Sequence, residues 1–228
     1  VRVGDGPGTM RNVLIEEPPA NCELVSGPAS SKALCQSEGL DASFGAALFI
    51  GYHARAGASD AGLPHTWVGS LVHEIRVNGR VFGETALNAA IAGEFDVPVV
   101  FVSGDVAACE EARADLGDEV VTFATKRATG PAAALCLPPV ATEDGIRLGV
   151  LRALSDAVQR EPFRVPGPVD FRVVFHRREP ADRAATRDGV ERTGPCEVSI
   201  RADTYLDAVK AGWRVIEWAA NEPPEWLR

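Results

Sequence analysis

What this 228-residue chain lacks already narrows what it can be. No apolar run approaches the roughly 18 residues that span a bilayer, so no membrane helix is expected. No basic segment followed by an apolar one opens the sequence, so no secretory signal is visible. Positive charge is in deficit: 23 Lys and Arg residues face 32 Asp and Glu residues, for a formal charge of -9. That balance counts against a nucleic-acid partner, because phosphates are bound mainly by cationic side chains. The five cysteines are odd in number and never spaced as a CxxC pair. Reduced, buried thiols are therefore expected, not a disulfide framework or a thiolate metal site, and with no export signal the expected location is the cytoplasm. Internal repeats and low-complexity tracts are also missing, which removes solenoid and disordered architectures.

What is present fits a globular α/β protein. Hydrophobic residues at 46% and charged residues at 24% supply a core and a solvated surface. β-Branched and aromatic runs alternate with stretches of helical spacing, the pattern of a mixed sheet flanked by helices. Strands are predicted at 1–3, 22–25, 46–51, 68–77, 97–102, 120–124, 171–175 and 197–201. The run Ala46-Ala47-Leu48-Phe49-Ile50 is continuous, not alternating, which predicts a strand covered on both faces. Helices are predicted at 84–95 and at 105–116, the second with Asp105 as N-cap and Gly117 as stop. Ile146, Val150, Leu154 and Val158 recur every four residues and predict a stripe facing the core. The Pro- and Gly-rich stretch 160–168 marks a boundary. The expected organisation is an α/β domain at 1–161, a small C-terminal α/β unit at 162–220 with a final helix at 204–220, and a tail at 221–228.

Only four histidines occur, and two of them stand in segments built like site loops. His53 follows a strand within Gly51-Tyr52-His53-Ala54-Arg55-Ala56-Gly57, whose small residues leave room around the imidazole. Such strand ends are where α/β sheets place ligands. His65 lies in Gly62-Leu63-Pro64-His65-Thr66-Trp67, just ahead of the next strand. Glu84 opens an otherwise apolar helix, where the plain alternative is a first-turn acid interacting with the helix dipole. A histidine of this kind, taken alone, is more often structural. Two imidazoles and a carboxylate are nevertheless the ligand and acid-base types of a zinc hydrolase.

The stretches Gly8-Thr9-Met10-Arg11-Asn12, Glu38-Gly39-Leu40-Asp41, Ala46 through Gly51-Tyr52-His53-Ala54-Arg55-Ala56, and Gly83-Glu84 followed by Leu87-Asn88-Ala89 occur in this order. Together they resemble the DppA-type zinc D-aminopeptidase family, and the resemblance runs nearly the length of the chain. It implies a binuclear zinc metallo-aminopeptidase that releases N-terminal D-amino acids from short peptides and assembles into ring-shaped homo-oligomers. Carried over by position, it implies His53 and Glu84 as metal ligands and His65 as the catalytic histidine. His73 and His176 match no metal position and are expected to be structural. The family's first strand, with an Asp-x-Glu pair of ligands, precedes the segment equivalent to Val1, and Pro7 stands where a further ligand histidine is found. The chain is thus expected to be an N-terminally truncated or degenerate member in which His53 and Glu84 alone bind metal weakly, with His65 or Asp5 the less favoured candidates to complete a single-ion site. A non-catalytic homologue that keeps the fold for assembly or peptide binding is the alternative.

Overall fold

The computed structural model describes residues 1–6, 8–28, 32, 34–155 and 160–220. Pro7, Val158 and the expected tail at 221–228 lie outside the described residues. In chain order the elements are β1 (Arg2–Gly4), β2 (Glu23–Val25), β3 (Ala47–Tyr52), β4 (Val72–Val77), β5 (Arg80–Phe82), α1 (Glu84–Gly93), β6 (Val99–Asp105), α2 (Val106–Leu116), β7 (Val121–Gly130), β8 (Ala133–Cys136), α3 (Pro139–Ser155), β9 (Val169–Phe175), α4 (Arg178–Ala184), β10 (Glu191–Gly194), β11 (Glu197–Ala202) and α5 (Tyr205–Ala219).

α1 lies between two sheets, and every residue from Thr85 to Gly93 is buried. A helix apolar on all sides has to be enclosed in this way. Ala86, Leu87, Ala90 and Ile91 pack into the larger core with Ile75, Phe171 and Phe175. Ala89 and Ala92 face a second core built on Phe49, Val97, Val99 and Val102. At the end of α1 the backbone of Phe163 approaches so closely that a Cβ on Gly93 would sit 1.9 Å from its carbonyl oxygen.

The first sheet has the order β3-β6-β7-β8. β3, β6 and β7 run parallel and β8 returns antiparallel. The second sheet has the order β10-β11-β9-β4-β5 and is antiparallel throughout. β1 and β2 form a separate parallel pair. Mixed sheets flanked by helices are thus the architecture, as expected. The boundaries hold well for α2, where Asp105 caps the helix by accepting from the Ala108 amide at 2.8 Å, and for α5, capped by Thr204.

Three expectations change. The strand covered on both faces is β6, buried at every position, and not β3. Among the described residues β3 is an edge strand; Phe49 is buried while Leu48 and Ile50 remain 38% and 52% exposed. The α3 stripe is only partly core. Gly145 and Gly149 face the sheet, so that the rings of Phe123 and Phe101 fill the space a side chain would take. Ile146 and Val150 flank that contact, and Leu154 is exposed. Lastly, the unit at 162–220 does not close its own sheet. β9 pairs with β4 as well as β11, because the chain crossing at 160–168 returns beside the β4-β5 hairpin.

Leu87 is fully buried at the centre of the larger core. Leu87→Ala is expected to destabilise the fold by about 2–5 kcal/mol, from lost transfer energy plus a cavity that the enclosing sheets cannot collapse. Chemical denaturation of the two proteins checks this.

Candidate metal centre

β3 does not end as a regular strand. Its register against β6 shifts between Phe49 and Tyr52, and Gly51 adopts a φ of 74°, a left-handed value that costs glycine no Cβ clash. The extra residue brings Phe49 and Tyr52 to one side, where their rings stack at 4.5 Å. Asn88 of α1 donates to the Tyr52 hydroxyl at 3.0 Å and fixes the strand end to the central helix. His53 is the next residue.

From His53 the chain makes an excursion and returns at Trp67. Its arms are tied together: the Ala56 amide donates to Thr66 Oγ1 at 3.1 Å and the His65 amide to the Ala54 carbonyl at 3.3 Å. α2 holds both arms from behind. Asp105, besides capping its helix, accepts from the Gly62 amide at 2.6 Å, and Glu111 Oε2 accepts from the Arg55 amide at 2.8 Å.

This scaffold sets the two imidazoles face to face, with centroids 3.7 Å apart and ring planes 18° from parallel. His53 Nδ1 lies 3.1 Å from the Ala54 carbonyl, and His65 Nδ1 lies 2.7 Å from the Leu63 carbonyl. A carbonyl oxygen only accepts, so each Nδ1 carries a hydrogen, and in the neutral ring Nε2 then keeps its lone pair. Those nitrogens face Glu84 Oε1, at 3.5 Å from His53 and 3.9 Å from His65. The Glu84 carboxylate is oriented by the Trp67 amide, which donates to Oε1 at 2.7 Å.

His53, His65 and Glu84 can each direct one donor atom so that all lie within 4.8 Å of one another. Two imidazole nitrogens and a carboxylate oxygen, with a side open to solvent, are the donor set of a catalytic zinc, which takes three protein ligands and keeps a position free. The Nδ1–carbonyl bonds are the outer partners that hold such ligands in orientation. The residues therefore fit one ion, and among the described residues no other group of three such donors forms. Asp5 does not contribute: it is buried, with Oδ1 accepting from Asn12 Nδ2 at 2.9 Å and Oδ2 from the Val13 amide at 2.9 Å. His73 and His176 meet each other edge to face at 5.4 Å and are not members of this group. All five cysteines are free, and burial pushes the Cys35 thiol up to about 12, so it offers no thiolate at neutral pH. No described helix is long and apolar enough to cross a membrane.

Residues 1–213 match the family model described as D-aminopeptidase. The chain is 33% identical over 212 residues to a D-aminopeptidase of Bacillus subtilis (strain 168), covering 92% of this chain and 76% of that protein. The solved structure of the Zn-dependent D-aminopeptidase DppA from Bacillus subtilis, described as a self-compartmentalizing protease, superposes with a TM-score of 0.91 at 31% identity, over 97% of this chain and 80% of that one.

Thr66, Trp67 and Glu111 did not stand out in the sequence. For Glu111 a signal existed. Ala108, Glu111, Ala112 and Asp115 fall at helical spacing on the inner face of α2, with Ala108 and Ala112 fully buried, so an acid there has to find a partner inside. Burial pushes the Glu111 carboxyl up to about 7 from its ordinary value of 4.5. Between those values the folded protein binds more protons at this group than the unfolded chain does. Its contribution to stability is therefore complete below pH 4.5 and lost as pH rises through about 7. Glu111→Gln is expected to flatten the stability profile across that window, measured as denaturation midpoint against pH; parallel profiles for the two proteins would refute the raised carboxyl.

Proposed function

The chain belongs to the D-aminopeptidase family, and on that premise we propose that it is a zinc-dependent metallo-aminopeptidase acting on short peptides with an N-terminal D-amino acid. The observation that carries the proposal is the convergence of His53, His65 and Glu84 donors within 4.8 Å at the end of a parallel strand. When bound, zinc supplies a Lewis acid that polarises the scissile carbonyl and activates water near neutral pH.

His53 and Glu84 are the proposed ligands. Their side chains are the more buried, at 22% and 17% exposure, and both are held by backbone groups, His53 through Ala54 and Glu84 through Trp67. His65, at 36%, is the outermost of the three and the one a peptide reaches first. With Nδ1–H anchored on the Leu63 carbonyl, its Nε2 is free to take a proton during attack and return it to the leaving amine. A second reading, His65 as a third ligand, is supported by the same short donor separations.

A homo-oligomer belongs to the proposal. The Bacillus subtilis relative is self-compartmentalizing, and here Leu148 and Leu151 on α3, each 58% exposed, leave apolar surface of the kind subunit contacts cover. Free thiols suit a reducing compartment such as the cytoplasm.

Purified protein is expected to keep zinc through dialysis and to hydrolyse a D-alanyl dipeptide but not its L-counterpart, with activity lost on chelation and restored by zinc. His53→Ala and Glu84→Gln are expected to lose the metal. His65→Ala, assayed at saturating zinc, is expected still to bind the metal and to lower kcat about 10²–10⁴-fold. Zinc loss in His65→Ala instead assigns that residue as a ligand. A wild-type protein that neither retains zinc nor cleaves the D-peptide would sink the proposal and leave a fold kept for assembly or binding.

A further inference from the structure

α2 carries a carboxylate that the proposed chemistry leaves unused. Glu111 Oε2 accepts the Arg55 amide at 2.8 Å, two residues beyond His53. Its other oxygen, Oε1, is buried and has no hydrogen-bond partner among the described residues. That oxygen lies against Gly83, where a Cβ would stand 2.0 Å from Oε1 and 2.8 Å from Arg55 Cβ. Gly83 is the N-cap of α1 and immediately precedes Glu84. One side chain therefore touches the backbone on the His53 side and on the Glu84 side of the centre. A buried carboxyl with one unpaired oxygen is costly, and a plain aliphatic residue at 111 would fill the volume without that cost.

We propose that Glu111 is a positioning residue that sets the spacing of His53 and Glu84, by bonding the Arg55 amide and by packing on Gly83. This rests on the reading of His53 and Glu84 as metal ligands. Donor sets tolerate errors of only about 0.5 Å, so a wedge held between their two backbones has direct leverage on the site. The proposal separates shape from charge. Glutamine keeps the acceptor and the length; aspartate keeps the carboxyl group but withdraws it by one methylene; alanine removes both and leaves the Arg55 amide unpaired.

The test combines cobalt(II) titration, followed by visible absorption, with amide hydrogen exchange at Arg55 in metal-free protein. Glu111→Gln is expected to stay within about threefold of the wild-type cobalt affinity, while Glu111→Ala and Glu111→Asp fall about 10–100-fold, the usual loss for an outer partner of a ligand. Arg55 exchange is expected to accelerate in the Ala and Asp variants and not in Gln. If Glu111→Ala does not fold, the Gln and Asp pair makes the same comparison. Unchanged cobalt affinity in Glu111→Ala, or an Asp variant that behaves as wild type while Gln fails, overturns the positioning role. Wild-type protein that takes up no cobalt instead sinks the ligand reading. Arg55 exchange then decides Glu111 by itself: acceleration in Glu111→Ala supports the role, and no change overturns it.

Discussion

α1 can be enclosed on every side because half of its residues are alanine or glycine. Ala86, Ala89, Ala90, Ala92 and Gly93 let two sheets and the Phe163 backbone approach a helix that has no solvent face. A helix so placed has little freedom to slide or rotate, since any movement would open voids in two cores at once. Its N-terminus is accordingly a fixed point, and Glu84 occupies it. Tyr205 of α5 adds to the constraint by donating to the Leu87 carbonyl at 2.9 Å, so the C-terminal helix also locates the centre.

The site is organised in two polar layers. The inner layer is His53, His65 and Glu84, each oriented by a main-chain group. The outer layer is Thr66, Asp105 and Glu111, whose side chains hold main-chain amides of the excursion. Main-chain groups thus mediate between the layers. This suits a centre built on loops, because an amide trapped on a buried carboxylate restricts backbone torsions where packing alone would leave them loose.

The sequence was most legible where one residue type has one physical use. The glycine-flanked His53 at a strand end and the Asp105 cap could be read directly, and the family resemblance joined His53 to His65 and Glu84 across intervening structure. It was least legible where the outcome depends on what lies opposite. The run from Ala46 to Ile50 has the composition of a doubly covered strand, yet only its position in the sheet decides that Leu48 and Ile50 are exposed. The α3 stripe misled for the reverse reason: Gly145 and Gly149, which look featureless in a periodicity count, admit the rings of Phe123 and Phe101. β5, β8 and β10 are too short to show alternation, and they pair because neighbouring strands present an edge. The boundary at 160–168 was visible as composition, but strand pairing does not respect it.

The excursion between His53 and Trp67 is pinned near both ends, at Ala54, Ala56, Gly62 and Leu63, the last through its amide on the Pro131 carbonyl. Between these pins the short span around Ser59 and Asp60 projects into solvent and holds nothing in place. Evolution can therefore lengthen, shorten or recolour that span while the imidazoles stay where they are. Length and sequence in that span are thus uncoupled from the geometry of the centre.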